Sequence, residues 1–230
     1  MTIKKNLNQI IITFLILTIT LVSFSTLVTK PKLWVDEGKT IELARNFLNF
    51  KNLDVQIAPG QFSSIAPLLQ STGYTVSIPL AVFFKFFGIG PNQARIFMLL
   101  WLNVALILIY FLSKELFSEN EKVAIFSFLL IASFASFYDS GRTVVGEIPG
   151  FIFLLLGLYL CLKKEDYVLA GVFWGLAVVT KPSVFGLILP IIPLILIRRN
   201  YESLKNIFTV YTGMIPAAIF WFIFSIKESP

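Results

Sequence analysis

The chain has 230 residues, 57% of them hydrophobic and only 14% charged, with a formal net charge of +6. A soluble domain is about 25% charged and must cover its surface with polar groups, so this composition excludes one and makes lipid the natural solvent. The single cysteine, Cys161, excludes an internal disulfide, and the absence of histidine removes the commonest general base and metal ligand.

Residues 10–28 carry no charge and follow Lys4 and Lys5. Their length suffices to cross a hydrocarbon core of about 30 Å. This run is read as the first transmembrane helix rather than a signal peptide, whose apolar region is shorter, about 7–15 residues. Residues 30–73 form the longest polar stretch, with Asp36, Glu37, Lys39, Glu42, Arg45, Lys51 and Asp54. Inside it, Ile41, Ala44, Phe47 and Leu48 share one helical face, opposite Glu42, Arg45, Asn46 and Asn49. A helix of this kind suits the membrane interface, and packing against the other spans is an equal alternative. Ala58-Pro59-Gly60 ends that pattern and predicts a loop.

Seven further apolar runs follow, at 74–87, 96–112, 123–138, 148–162, 167–180, 182–197 and 207–226. Several are short for a full crossing, and flanking Trp, Tyr, Lys and Arg extend them by reaching into the interface. The basic clusters Lys4-Lys5, Lys163-Lys164 and Arg198-Arg199 with Lys205 lie at run ends, where they set topology rather than bind nucleic acid. They predict a cytoplasmic N-terminus, with Asp36 and Glu147 both outside. Three runs separate those two acids, however, and an odd number of crossings would put them on opposite sides. The shortest, 74–87, which carries Lys85, is therefore expected to be re-entrant or interfacial.

Charges beside membrane spans are costly unless paired, solvated or functional. Asp36-Glu37, just past the first span, suits a general base or a metal ligand, and equally a wet loop. Glu147, between Arg142 and Pro149, suits a second acid or a helix N-terminal charge. Lys181, in Thr180-Lys181-Pro182, suits a phosphate grip or a simple turn. Two acids on one side of a membrane would deprotonate an acceptor hydroxyl or amine while nearby cations hold an anionic leaving group. There is no P-loop, GxSxG, HExxH or nucleotide-binding glycine pattern, which favours a lipid phosphate over a nucleotide.

Leu33-Trp34-Val35-Asp36-Glu37 followed by Ile41-Glu42-Leu43-Ala44-Arg45-Asn46-Phe47-Leu48 resembles the first extracytoplasmic loop of the GT-C membrane glycosyltransferases. The nearest branch is that of the protein O-mannosyltransferases, the aminoarabinose transferase of lipid A and the bacterial RgtA/B/C/D-like domain. Ile78-Pro79-Leu80 through Phe87-Gly88, Ala94-Arg95, Gly141-Arg142-Thr143 with Glu147, and Ala170 to Ala177 with Thr180-Lys181 match the later segments of that pattern in order. The resemblance implies an all-α, polytopic transmembrane helical bundle with interfacial helices in the first extracytoplasmic loop, about 30–73. It implies a membrane enzyme that moves a sugar, with inversion, from a polyprenyl-phosphate donor to an extracytoplasmic lipid, glycan or protein. By that analogy Asp36 is the base, Glu37 supports it and Glu147 holds the second acidic position, while Lys39, Arg142 and Lys181 face the substrate and its departing phosphate. Gln70-Ser71-Thr72-Gly73-Tyr74 departs from the Glu-Lys pair of the aminoarabinose branch. Without histidine no metal ligand set is readable, so no cofactor is assigned and a divalent metal stays open. The family's members are longer, so residues 1–230 read as one N-terminal module that a partner carrying the missing part would complete. A transporter or permease fragment and a non-catalytic membrane scaffold are the alternatives from other classes.

Overall fold

The computed structural model describes residues 2–27, 29–63, 72–197 and 203–225. The element order is α1 (Thr2–Ser25), α2 (Val35–Phe50), a hairpin of β1 (Gln56–Ala58) and β2 (Gln61–Phe62), then α3 (Tyr74–Phe87), α4 (Pro91–Leu116), α5 (Glu121–Ala132), α6 (Ala135–Ser140), α7 (Glu147–Tyr159), α8 (Tyr167–Thr180), α9 (Pro182–Phe185), α10 (Ile188–Ile197) and α11 (Ser203–Ser225). One π-helical turn, Leu160–Lys164, extends α7. The chain is an all-α, polytopic membrane bundle. Pro91–Leu116 and Leu204–Ile223 are long and apolar enough to cross a membrane. Phe111, Phe126, Phe208 and Phe222 point outward, as lipid-facing side chains must.

The helix boundaries follow local chemistry. Pro91 opens α4, where its missing N–H costs nothing. Asn120 caps α5 by accepting from the Lys122 and Val123 amides, and Asp166 caps α8 through the Leu169 amide. The run 123–138, expected to be continuous, breaks between α5 and α6, where the Ser133 hydroxyl donates to the Leu130 carbonyl and competes with the helical ladder. The run 182–197 splits into α9 and α10 because Pro190 has no N–H to return to Gly186. At the centre, α8 packs between α7 and α11, with fully buried Trp174 donating to the Leu154 carbonyl at 3.2 Å.

The first loop differs from its expected form. The hairpin folds back on α2, so part of the face expected to be polar is covered by protein, while Asn49 stays exposed. Asn46 is fully buried, its amide donating to the Asp54 carbonyl at 2.6 Å, and the Gln56 amide donates to Glu42 at 3.0 Å. On its other side α2 meets α3. Val76, Leu80, Ala81 and Phe84 of α3 form one core with Ala44 of α2, with Ala94, Phe97 and Met98 of α4, and with Val144. The α3 helix begins where the Gly73 amide meets the Thr180 carbonyl, at 2.8 Å. The α4 helix begins at the same end of the bundle, where Arg95 meets Glu37 and Leu27. The starts of α3 and α4 thus both lie at the end of the bundle that carries the two acids.

Two buried guanidinium groups hold that end together. Arg95 is 3% exposed and Glu37 is 0% exposed. Arg95 Nε and Nη2 donate to the two oxygens of Glu37 at 2.7 and 2.8 Å, and Nη1 donates to the Leu27 carbonyl at 2.7 Å. One side chain thus joins α1, α2 and α4. Arg142, also 3% exposed, donates to the Ser23 carbonyl, the Thr26 hydroxyl and the Lys30 carbonyl, and lies over the Tyr138 ring. A bidentate, fully enclosed pair of this kind is expensive to break from one side only. Arg95→Met alone is expected to lower stability in detergent by about 3–5 kcal/mol, and Arg95→Met with Glu37→Met to recover most of it, as read by equilibrium unfolding.

Candidate active site

Asp36 occupies the first turn of α2, where the helix dipole favours an anion. Its carboxylate is about one-third exposed, and the Lys39 ammonium lies 3.9 Å away, one helical turn on. The next residue faces the other way, and Glu37 is enclosed by Arg95. Adjacent carboxylates thus have different surroundings, one wet and one sealed. Helical geometry requires this, because neighbours on a helix point about 100° apart.

Glu147 begins α7, and Lys181 sits in the break between α8 and α9. The Lys181 ammonium is paired with Glu147 Oε1. Lys181 is 12% exposed at its side chain and Glu147 is 32% exposed. Glu147 Oε2 is itself enclosed and has no hydrogen-bond partner among the described residues. The pair is therefore a fixed cation beside a carboxylate with one acceptor oxygen unsatisfied.

The backbone around Lys181 is held from both sides. On one side lies Gly73, whose amide bonds the Thr180 carbonyl, and a methyl there would overlap the Val179 carbonyl. On the other lies Gly146, where an added Cβ would stand 2.8 Å from the Thr180 oxygen. The Thr180 hydroxyl donates to the Leu176 carbonyl at 2.6 Å, which leaves Thr75 as the donor in the buried Thr75–Thr180 hydrogen bond, also 2.6 Å. Tyr74, next along, donates to the Ala217 carbonyl at 3.1 Å. The start of α3 is thus clamped to the turn that carries Lys181.

The sequence of residues 75–225 matches the family model for dolichyl-phosphate-mannose-protein mannosyltransferases. The chain belongs to that family. A search of curated proteins finds no match. The fold is that of the GT-C glycosyltransferases. The chain is similar to the crystal structure of ArnT from Cupriavidus metallidurans bound to undecaprenyl phosphate, with a TM-score of 0.66 and 16% identity, covering 92% of this chain and 40% of that one. It is similar also to the apo structure of the same protein, with a TM-score of 0.63, 17% identity, and 92% and 41% coverage. The chain therefore spans about two fifths of the length of these solved structures.

Within this family frame the six sequence-predicted site residues fall into two groups. Asp36, Lys39, Glu147 and Lys181 reach partly exposed surface at one end of the bundle. Glu37 and Arg142 do not. The carboxylate of Glu37 is taken up by Arg95, and Arg142 is occupied by α1 and by the strand of chain that leaves it. Arg142 was expected to face substrate, and burial behind Ser23, Thr26 and Lys30 turns it inward. No group of three or more Asp, Glu or Cys side chains among the described residues is placed to hold a metal ion. The sequence reading did not assign a role to Arg95, Thr75 or Thr180. For Arg95 a signal existed: an arginine inside an apolar helix demands a buried partner. The threonine pair had none, since its meaning depends on two helices meeting. Gly73→Ala is expected to cost about 1–3 kcal/mol through overlap with the Val179 carbonyl, whereas Gly38→Ala, which meets open space, should be near neutral, as read by unfolding in detergent.

Proposed function

We propose that the chain carries the catalytic end of an inverting glycosyltransferase that takes a sugar from a polyprenyl-phosphate donor. Asp36 accepts the proton of an acceptor hydroxyl or amine. The freed oxygen or nitrogen attacks the anomeric carbon from the face opposite the phosphate, so a new bond forms there with inverted configuration. The bond from that carbon to the phosphate oxygen breaks, and the polyprenyl phosphate leaves as an anion. Lys181, with Lys39 beside Asp36, neutralises the charge that gathers on the departing phosphate. Glu147 holds Lys181 in place. Glu37 and Arg142 act by fixing α2 and the loop that follows α1, not by touching substrate.

The observation that carries this reading is the Lys181–Glu147 pair, half-sheltered and with one carboxylate oxygen unpartnered, at the same end of the bundle as partly exposed Asp36. Membership of the mannosyltransferase family and the GT-C fold support it. The undecaprenyl phosphate bound in the similar ArnT structure supports a lipid phosphate as the leaving group. By this reading the N-terminus is cytoplasmic and the site opens outside the cell membrane, toward a lipid, glycan or protein acceptor. A further segment or partner chain supplies the rest of the enzyme, because the similar structures are longer. The transporter alternative has no supporting observation once the family is known.

The test is sugar transfer from an undecaprenyl-phosphate donor in nanodiscs, with wild type compared with Asp36→Asn. A fall of about 100-fold or more in kcat with little change in donor binding is expected if Asp36 is the base. Equal rates in the two proteins would reject that assignment.

A further inference from the structure

Arg95 and Arg142 set the depth of the chain between α1 and α2. The 26 residues of α4 make a helix about 39 Å long, against a hydrocarbon core of about 30 Å, so each of its ends stands near a membrane face. Arg95, in the second turn of α4, holds the Leu27 carbonyl, and Arg142 holds the Lys30 carbonyl at 2.6 Å. Further on, the Trp34 carbonyl accepts the first helical bond of α2 from the Gly38 amide at 3.1 Å. Residues 30–35 are thus held at both ends, at the level where hydrocarbon gives way to headgroups.

The side chains of this segment point away from the protein. Leu33, Trp34 and Val35 are 55%, 54% and 70% exposed. Trp34 stands at the N-cap of α2 and makes no side-chain cap hydrogen bond. Ser, Thr, Asp or Asn is the usual choice there, because its oxygen satisfies a free amide, so an indole serves no need of the helix. Lys30 and Lys32 precede this apolar triplet and are both exposed. Among the described residues neither ammonium has an ion pair or hydrogen bond. The nearby acids do not compensate them: Asp36 lies with Lys39, Glu37 is taken by Arg95, and exposed Asp139, beside Arg142, pairs with neither lysine. Tryptophan favours headgroup depth because its ring is apolar and its N–H is wet. Lysine stems can lie along acyl chains while their ammonium groups reach phosphate. The two uncompensated cations select the sign of the headgroup, since they attract an anionic leaflet.

We propose that residues 30–35 anchor this end of the bundle to anionic phospholipid. Leu33, Trp34 and Val35 enter the boundary between acyl chains and headgroups, and Lys30 and Lys32 hold headgroup phosphates. Asp36, the next residue, is thereby kept at headgroup depth. The anchor does not depend on what Asp36 does there.

Two measurements on the full chain test this. In nanodiscs of phosphatidylcholine and phosphatidylglycerol, a nitroxide on Val35→Cys or on Lys32→Cys reports depth by its collisions with oxygen and with a water-soluble nickel chelate, while the native Cys161 is buried. Oxygen is expected to dominate at position 35 and nickel at position 32. In detergent, native mass spectrometry compares retention of phosphatidylglycerol and phosphatidylcholine with matched acyl chains. Lys30→Gln and Lys32→Gln are each expected to weaken retention of phosphatidylglycerol about fivefold and to leave phosphatidylcholine unchanged. Both variants keep the fold, because Arg142 holds the main-chain carbonyl of Lys30 and not its side chain. The proposal is overturned if nickel reaches position 35 as readily as position 32, or if position 35 is shielded from both reagents, as a covering protein segment would shield it. Unchanged retention of phosphatidylglycerol in the protein carrying both substitutions would overturn it as well.

Discussion

The buried Arg95–Glu37 pair is the constraint on which the end of the bundle that carries Asp36 and Glu147 depends. A guanidinium and a carboxylate inside an apolar bundle are tolerable only together, with every strong donor placed. Arg95 meets that demand by reaching α2 through Glu37 and the end of α1 through Leu27. Once Glu37 is pinned inward, the helix period turns Asp36 toward the open end. Arg142 performs the parallel task for the loop that precedes Glu147, tying it to Ser23 and Lys30. Two arginines spent on structure thus leave Asp36 with Lys39, and Glu147 with Lys181, as the partly exposed ion pairs of this end.

A second constraint is the close approach of backbones. The turn that carries Lys181 passes between Gly73 and Gly146, with the Thr75–Thr180 hydrogen bond alongside. Under the proposed reading, a cation that neutralises a departing phosphate gains little from flexibility, because electrostatic stabilisation works best when the groups are already in place. Here Lys181 is fixed by its own pairing to Glu147 and by the main chain beneath it.

The sequence carried the architecture well because lipid leaves few options. The boundaries of 74–87 and 167–180 matched α3 and α8, since apolar runs in this chain end at Gly, Pro and capping residues. Less legible was anything that needs two elements to meet. Asn46 lies on what a helical wheel gives as the wet face, and only the hairpin folding back on α2 buries it. Glu37 and Arg142 look like site residues by type and position, and only their partners across the bundle show them turned inward. The break at Ser133 left no Gly or Pro to announce it.

The central claim is that Asp36 and Glu147 share one mouth at one face of the membrane. Single cysteine replacements at the two positions, in a background where Cys161 is buried and inert, allow it to be measured with an impermeant maleimide in oriented proteoliposomes. The account predicts that both positions are modified from the same side, and that undecaprenyl phosphate slows both. Modification from opposite sides, or protection of neither, would contradict it.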